Sequence, residues 1–316
     1  MATPARSALR MPAKIAAPDL ASDLDLTQDE LLGLFDLSKS VKSNPTRYAG
    51  ALAGRYLALL FEKPSLRTRT TFELAIKQLG GDSVVNVGPI GDREPIKDVA
   101  RNLDRWTNAI VARTFSQQTI DELARWSSVP VINALSDLYH PCQAFADIFT
   151  LQERFGDLSG LKLAFIGDGN NVAHSLMLNA ARIGMNFSLA CPSGYEPCAE
   201  IVREAEGLAA VSGAGFSITN DPAEAAAGAH AVYTDVWASM GKENEKQERL
   251  RAFAPFQVNE ELFVKADPEA VFLHCLPARR GEEVTDAVIE SPQSAVFDQA
   301  ENRLHVQKAL LLMLIS

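Results

Sequence analysis

The sequence contains few cysteines, and this argues against a disulfide-stabilised scaffold. Only four of the 316 residues are cysteines, at widely separated positions, and no two of them form a Cys-x-x-Cys pair. Scattered cysteines of this kind are typical of free thiols in a reducing compartment. We therefore expect a cytoplasmic protein whose fold does not depend on disulfides.

Positive charge is also scarce. The chain has 30 Lys and Arg residues against 40 Asp and Glu residues, which gives a formal net charge of −10. A nucleic-acid-binding surface has the opposite signature, an excess of basic residues on one face. The composition therefore predicts no nucleic-acid partner, and any anion site must be a local cluster of basic side chains.

Long apolar runs are absent as well. The longest strongly apolar run covers residues 309–315, whereas a membrane-spanning helix needs about 20 residues. We therefore predict no membrane segment. Residues 1–16 contain Arg6, Arg10 and Lys14 but no acid, a pattern that transit peptides share with frayed termini. We expect residues 1–20 to form a disordered tail.

The remaining chain alternates between apolar runs of strand length and segments of helical periodicity. With 47% hydrophobic and 22% charged residues, it has the composition of a soluble globular protein of two domains. The alternation predicts an α/β fold of two doubly wound parallel-sheet domains joined by interdomain helices. We place the domains at residues 21–150 and 151–300, and we expect a buried C-terminal helix, residues 301–316, to pack back near the first domain.

Two segments of the second half are less regular. Residues 295–298 read as a last strand of the second sheet. Residues 237–258 are dominated by Gly, Lys, Glu, Asn and Gln, and we interpret them as a long mobile loop. Loops of this length in compact domains are usually lids or binding loops.

The stretch around Ser65-Leu-Arg67-Thr-Arg69 is the strongest functional signal. It follows an apolar run, Tyr56–Phe61, and precedes a helical pattern, so we expect a strand, a tight turn and a helix with Ser65 as its N-cap. Helix N-termini bind anions, and guanidinium groups match phosphate oxygens. The sequence thus predicts a phosphate site here; the alternative is an ordinary helix start with two incidental arginines.

A glycine-rich turn follows the first strand of the second half. Its sequence, Gly167-Asp-Gly-Asn-Asn171, is followed by Val172 where a dinucleotide fingerprint requires a third glycine, and the next strand ends without an acid. We therefore reject an NAD-dependent dehydrogenase. The turn still delivers Asn171 to the carboxyl edge of the sheet, unless it is only a turn of ordinary composition.

Two further motifs follow later strands. Asp235-Val-Trp-Ala-Ser239-Met240-Gly contains a carboxylate, a hydroxyl and backbone N–H groups that suit an α-amino acid, although strand ends often carry such residues for turn formation alone. His274-Cys275 suggests a nucleophile with its base, but adjacent strand residues point to opposite faces. We therefore expect that His274 does not serve Cys275, which leaves a buried inert thiol as the alternative.

Polar residues also mark the first half, and cofactor motifs are missing. Arg113 ends a predicted strand, and His140-Pro-Cys-Gln143 begins a predicted helix. The chain has no Walker loop, no His-Glu-x-x-His and no paired Cys–His spacing. We predict neither a metal nor a cofactor.

Taken in order, these motifs resemble those of the aspartate/ornithine carbamoyltransferase family. The anion loop, Arg113, the His140-Pro-Cys-Gln143 motif and Glu301-Asn-Arg303 are similar to the family's carbamoyl phosphate site. The motifs at 235–241 and 274–277 are similar to the ornithine branch of the family. The resemblance covers residue 20 to the end of the chain.

The resemblance implies an activity and a set of roles. The reaction is carbamoyl transfer from carbamoyl phosphate to the δ-amine of L-ornithine, giving L-citrulline and phosphate, in arginine biosynthesis, by a homotrimer or a multiple of trimers. The implied residues fall into three groups. They are Ser65, Leu66, Arg67, Thr68, Arg69, Arg113 and Arg303 for the phosphate; Arg113, His140 and Gln143 for the carbonyl oxygen; and Asn171, Asp235, Ser239 and Met240 for ornithine, with Cys275 and the Leu276 carbonyl at the carbamoyl phosphate, where they orient the δ-amine. In addition, the resemblance implies that Asp235 or Cys275 accepts the proton of the amine.

The chain departs from the family pattern at two positions. Leu66 stands where ornithine enzymes often have Thr, and Pro89 stands where a Gln usually reaches a neighbouring subunit's site. The first change should cost little because the contact is through the backbone. Two alternatives stay open: an N-acetyl- or N-succinylornithine carbamoyltransferase, and a non-catalytic relative that only binds ligands.

Overall fold

Helices and strands alternate throughout residues 14–238 and 245–316, the part of the chain that the computed structural model describes. The strands are β1 (Tyr56–Phe61), β2 (Asp82–Val87), β3 (Ala109–Arg113), β4 (Val131–Leu135), β5 (Lys162–Ile166), β6 (Asn186–Ala190), β7 (Phe216–Thr219), β8 (Ala231–Thr234) and β9 (Val271–His274). The helices are α1 (Gln28–Ser43), α2 (Arg67–Gln78), α3 (Ile96–Trp106), α4 (Gln117–Trp126), α5 (Pro141–Phe155), α6 (Asn171–Arg182), α7 (Ala199–Ser212), α8 (Pro222–Ala226), α9 (Lys246–Phe253), α10 (Glu260–Phe263), α11 (Asp286–Ile289) and α12 (Val296–Ile315).

The strands form two parallel sheets, so the predicted α/β fold is confirmed. The strand orders are β2-β1-β3-β4 and β7-β6-β5-β8-β9, and each neighbouring pair in them is parallel. In the first sheet the winding reverses between β1 and β3, and in the second between β5 and β8. Ligands of open α/β sheets bind beyond the carboxyl ends of the strands at such reversals.

The apolar runs of the sequence explain the strands. All four residues of β8 are buried, and so are residues 57–61 of β1. Parallel strands covered on both faces read as continuous apolar runs because neither face is exposed to water. The start of α1 is equally local in origin: Thr27 Oγ1 accepts from Glu30 N at 3.2 Å, and Glu30 Oε2 accepts from Thr27 N at 2.8 Å, which is a capping box.

Helices α5 and α12 join the two sheets. Helix α12 packs against α1, α2 and α5, and α5 also packs against α6. One apolar cluster contains Leu59 of the first sheet, Leu163 of the second and Leu311 of α12, so the core is continuous between the sheets. Helix α5 ends at Phe155, and the residue that follows it, Gly156, has a φ of 80° that suits glycine. The domain bounds 21–150 and 151–300 remain a prediction.

The structure corrects the predicted start of α2. Leu66, not Ser65, occupies the N-cap position, and no side chain caps the helix. The Leu66 carbonyl accepts the first helical hydrogen bond, from Thr70 N at 3.1 Å. The free N–H groups of the first turn therefore have no side-chain acceptor at the cap, which leaves them available for a bound anion.

Two other predicted elements are wrong. Residues 295–298 are not a strand but the start of α12, where Val296 and Gln299 are buried and Phe297 is exposed, a helical spacing that a short apolar run does not reveal. The predicted loop 237–258 contains α9, because Arg249 and Phe253 are buried four residues apart on one helix face.

The predicted tail of residues 1–20 is too long at its C-terminal end. Ile15 and Leu20 are buried, and Leu20 forms a parallel bridge with Ile132. Residues 1–13 lie outside the described part of the chain. Among the described helices, none combines the length and the apolar character that crossing a bilayer requires.

We predict opposite stability effects for alanine at two glycines. A Cβ on Gly169 would lie 2.2 Å from Pro197 N, whereas one on Gly207, inside α7, would meet no atom within 4 Å. Gly169→Ala should lower the free energy of unfolding by about 1–3 kcal/mol through overpacking. Gly207→Ala should raise it by about 0.5–1 kcal/mol, because alanine is the better helix former. Denaturant titration measures both, and equal effects of the two substitutions would contradict the packing argument.

Candidate active site

A cavity of about 480 Å³ opens at the carboxyl ends of both sheets. Its walls come from the loops after β1, β8 and β9, the last residues of β3 and β4, the starts of α2, α5 and α6, and one residue of α12. The lining residues are Lys63, Pro64, Ser65, Leu66, Arg67, Thr68, Arg113, Leu135, His140, Gln143, Asn171, Val172, Asp235, Val236, Ala238, Cys275, Leu276, Pro277, Arg279 and Arg303. The cavity thus lies at the winding reversals of both sheets, the position expected for ligands.

Most of the predicted site residues line this cavity. Twelve of them do so: Ser65, Leu66, Arg67, Thr68, Arg113, His140, Gln143, Asn171, Asp235, Cys275, Leu276 and Arg303. Ser239 and Met240 lie outside the described residues, so the structure does not test them. Residues that the motifs drew from opposite halves of the chain therefore share one cavity.

Arg69 is the exception among the described residues. Its exposed side chain forms an ion pair with Glu73, Nε to Oε1 at 2.7 Å, and it does not line the cavity. Residues two apart on a helix lie on nearly opposite faces. Because Arg67 faces the cavity, Arg69 cannot, and its predicted contact with phosphate is corrected.

Three arginines face the cavity from three different elements. Arg67 begins α2, Arg113 ends β3 and Arg303 lies on α12. Burial lowers the pKa of Arg113 to about 10, and repulsion by Arg303 and Arg67 adds to the effect. In the described part of the chain, the Nε atoms of Arg113 and Arg303 are buried without a partner. Such a concentration of like charge is stabilised by a bound dianion.

Arg303 also joins elements that are remote in sequence. Its Nη2 donates to Thr68 Oγ1 at 2.9 Å, and its Nη1 donates to the side-chain oxygen of Gln143. The arginine is therefore held between the first turn of α2 and the first turn of α5. This arrangement fixes the distance between the anion loop and the His140-Pro-Cys-Gln143 motif.

His140 is a neutral imidazole at the start of α5. It is the N-cap residue, Pro141 follows it, and its backbone N–H donates to Ser175 Oγ at 2.8 Å. Burial lowers the pKa of His140 well below 6.5, and Arg303, Arg113 and Arg67 lower it further. Its Nδ1 is buried without a partner among the described residues. A neutral ring here can still donate one hydrogen bond to a substrate oxygen.

Asp147 is a buried neighbour of the cavity residue Gln143 that the sequence analysis missed. Its Oδ1 accepts from Gln143 Nε2 and from Gln299 Nε2, both at 2.7 Å, and Gln299 Oε1 accepts from His274 N at 2.9 Å. Burial raises the pKa of Asp147 to about 6, against the effect of these hydrogen bonds. The available signal was an acid four residues after Gln143, in the otherwise apolar stretch 144–149 of the helix.

This contact orients Gln143 without using all of its donors. One N–H of the Gln143 amide donates to Asp147, and the amide oxygen faces Arg303. A carboxylate only accepts and a guanidinium only donates, so the two neighbours determine the orientation of the amide. The amide nitrogen has a second N–H, so the predicted contact of Gln143 with a carbonyl oxygen stays a prediction beside those of Arg113 and His140.

On the opposite wall, Asp235 collects three hydrogen bonds. It accepts from Cys275 Sγ at 3.0 Å, from Asn170 Nδ2 at 3.0 Å and from Val236 N at 2.8 Å. Burial raises the pKa of Cys275 well above 9, and the Asp235 charge raises it further. Cys275 is therefore a protonated thiol that donates to Asp235, and it lacks the lowered pKa of a cysteine nucleophile.

The neighbouring His274 is engaged elsewhere, as predicted. Its Nε2 contacts Glu283 Oε1 at 3.2 Å, and its Nδ1 accepts from Leu276 N at 2.8 Å. Donor atoms of Asp235, His274 and Cys275 lie within 4.8 Å of one another. Both ring nitrogens of His274 already have partners and the thiol is protonated, so this group is poorly suited to a metal. The predicted absence of a metal or cofactor remains a prediction.

Other residues in and behind the cavity were also missed. Lys63 and Arg279 line the cavity. Asn170 does not line it, but its side chain donates to Asp235 and caps α6 by accepting from Val172 N and Ala173 N. The predicted Asn171 lines the cavity and donates to the Ser136 carbonyl at 2.6 Å. The signal for Asn170 was its position before an apolar helical pattern, where Asn is a common N-cap.

The fold and the cavity define a two-domain enzyme class, and sequence comparison identifies it. Residues 19–153 match the profile described as "Aspartate/ornithine carbamoyltransferase, carbamoyl-P binding domain", and residues 159–314 match the corresponding "Asp/Orn binding domain". The chain belongs to the aspartate/ornithine carbamoyltransferase family.

Comparison with individual relatives gives the degree of similarity in sequence and structure. The chain is 49% identical over 318 residues to the ornithine carbamoyltransferase of Parasynechococcus marenigrum (strain WH8102), covering 100% of this chain and 99% of the relative. The solved ornithine carbamoyltransferase from Pyrococcus furiosus superposes with a TM-score of 0.93 at 45% identity, covering 96% of this chain and 98% of that one. A solved acetylornithine transcarbamylase, complexed with acetylcitrulline, has a TM-score of 0.85 at 35% identity, covering 94% and 99%.

The environment of His140 predicts how it titrates. Because burial and three guanidinium groups lower the pKa of His140, its ring should stay neutral as the pH falls from 8 to 6, whereas an unperturbed histidine gains a proton near pH 6.5. Imidazole ¹⁵N chemical shifts measure this, and His140→Gln assigns the resonance. A His140 resonance that titrates near pH 6.5 would refute the electrostatic account.

Proposed function

We propose that the chain transfers the carbamoyl group of carbamoyl phosphate to the δ-amine of L-ornithine, giving L-citrulline and phosphate. The observation that carries the proposal is one cavity with two unlike walls. Arg67, Arg113 and Arg303 form a cationic wall, and Asp235 and Cys275 form a wall of acceptor and thiol. The first suits a dianionic acyl donor and the second a primary amine. The two ornithine carbamoyltransferases named above support the same reaction.

The phosphate is bound at the start of α2. Ser65, Arg67 and Thr68 lie around the free N–H groups of its first turn, with Leu66 contributing its backbone. Arg113 reaches the same space from β3, and Arg303 holds Thr68 in place. Helix dipole and guanidinium groups act together on one anion, so the donor is held before the amine arrives.

The carbonyl group of the donor lies between Arg113 and His140. Attack by the amine converts the carbonyl oxygen into an oxyanion, and both side chains line the cavity with a buried nitrogen that has no partner among the described residues, as Arg303 also does. Donors that are already oriented need no reorganisation as charge develops. Collapse of the tetrahedral intermediate breaks the bond to the phosphate oxygen, which leaves with the electron pair.

Asp235 is the proton acceptor of choice on the amine side. The δ-amine must be neutral to attack, and for a lysine-like pKa this costs roughly 4–5 kcal/mol at pH 7. Cys275 already carries its proton, so it cannot take another and instead orients Asp235. The Leu276 carbonyl and Asn171 complete the contacts with ornithine, and Ser239 and Met240 are proposed for its α-amine and α-carboxylate.

We also propose the setting in which the reaction occurs. Carbamoyl phosphate is a mixed anhydride, so transfer to an amine favours citrulline formation, which supports a role in arginine biosynthesis. The free cysteines of the described structure are compatible with the cytoplasm. Family resemblance supports a homotrimer or a multiple of trimers. The same proposal includes an altered contact between subunits at Pro89, the position where the family usually has Gln.

A direct assay tests the function. Purified protein with carbamoyl phosphate should form citrulline from L-ornithine, because the cavity accommodates a free amino acid. N-acetylornithine and N-succinylornithine in parallel reactions test the alternative that the relationship to acetylornithine transcarbamylase raises. Faster conversion of an acylated substrate would reassign the substrate, and no conversion of any of the three would favour a non-catalytic relative.

Arginines two residues apart on α2 give a matched mutational test. Arg67→Ala removes a charged ligand of the phosphate and should lower kcat/KM for carbamoyl phosphate by about 10- to 200-fold, the range for one charge-assisted hydrogen bond. Arg69→Ala should change it less than about twofold, since Arg69 pairs with Glu73 outside the cavity. Steady-state kinetics measure both. Equal losses in the two variants would show that the cavity is not where the phosphate binds.

A further inference from the structure

A buried arginine outside the cavity connects two segments of the amine-side wall. Arg249 lies on α9, and its side chain is 3% exposed. Its Nη1 donates to Asp168 Oδ2 at 2.8 Å and to the Trp237 carbonyl at 2.8 Å. Its Nε donates to Glu245 Oε2 at 2.9 Å. One guanidinium group therefore holds three separate points of the chain.

Two of these points lead directly to Asp235. Asp168 belongs to the turn after β5, where its carbonyl accepts from Asn170 N at 2.7 Å. The Asn170 side chain in turn donates to Asp235 Oδ2 at 3.0 Å. Trp237 stands two residues after Asp235 in the other segment. The Arg249 contacts thus set the spacing between the turn that carries Asn170 and the strand end that carries Asp235.

Aromatic and backbone packing holds this guanidinium in one place. Its central carbon lies 4.8 Å from the Tyr195 ring centroid and 5.7 Å from that of Phe253. The Tyr195 carbonyl also accepts from Gly169 N at 2.9 Å, inside the same turn. A stacked, planar group with several directional donors permits only a narrow set of geometries.

We propose that Arg249 is a positioning residue for the amino-acid half of the site, and this rests on the proposed carbamoyl transfer to ornithine. It does not line the cavity. It acts through Asp168 and Trp237, which determine where Asn170 and Asp235 meet. Asp235 is thereby held in the orientation that receives the amine.

A purely structural role for Arg249 is the competing explanation. The residue lies over an apolar cluster that includes Trp237, Phe253 and Phe256, where an apolar side chain of similar volume would pack as well. Buried ion pairs are often no more stabilising than such a replacement. A guanidinium at this position is better explained by its directional bonds to two segments of the site, and the two explanations predict different kinetics.

Substrate-resolved kinetics separate them. Arg249→Gln removes the charge and both Nη1 contacts, so KM for ornithine should rise by about tenfold while KM for carbamoyl phosphate changes less than about twofold. Arg249→Lys keeps a cation near Asp168 but loses the fork of donors. Its KM for ornithine should lie between the values of the wild type and of Arg249→Gln. The lysine variant also provides the test if the glutamine variant does not fold.

The matched control is Arg251→Gln on the exposed side of the same helix, which should leave both KM values unchanged. The inference is overturned if a folded Arg249 variant keeps the wild-type ornithine KM, or if both KM values rise together with a fall in Tm. The wild-type protein in the same assay distinguishes the two proposals. Citrulline formation by the wild type with no effect at Arg249 refutes only the positioning role, whereas no citrulline from the wild type refutes both.

Discussion

Mutual repulsion among three buried or half-buried guanidinium groups is the constraint on which the rest of the structure depends. Arg67, Arg113 and Arg303 enter one cavity from different elements, and the repulsion helps to lower the pKa of Arg113 to about 10. No fold retains such a group without compensation. Packing within the protein offsets part of the electrostatic repulsion, and a bound dianionic ligand would offset the rest. The same field lowers the pKa of His140, so one electrostatic arrangement both favours an anion in the cavity and determines the protonation state of the neighbouring imidazole.

The two-domain architecture makes this arrangement possible. Each sheet reverses its winding once, and the loops at both reversals open into the same cavity. Helices α5 and α12 run between the sheets and carry Gln143, Asp147, Gln299 and Arg303. Their hydrogen bonds extend from Thr68 on the donor side to the backbone of His274 on the amine side. Displacement of either sheet would therefore move side chains in both halves of the site.

The amine side of the cavity is organised differently from the phosphate side. There a single carboxylate is held by several neighbours, only some of which line the cavity. Asp235 is oriented by Cys275 and Asn170, and Arg249 holds the segments to which Asp235 and Asn170 belong. A protonated thiol and a distant arginine thus serve the same carboxylate. Asp235 has many contacts because each of them restricts the position of its carboxylate.

The sequence by itself determined the elements and the order of the motifs. A continuous apolar run predicted β1 at its observed bounds, because burial on both faces is recorded locally, and family resemblance predicted that Arg303 belongs to the site, where it lines the cavity. Only the tertiary structure decided that Arg69 points away, that Asp147 takes the Gln143 amide nitrogen, and that a polar segment contains α9. The reason is the range of the interactions: Thr68 and Arg303 meet across 235 positions, and no local pattern of polarity encodes which side chain stands opposite another in the folded chain.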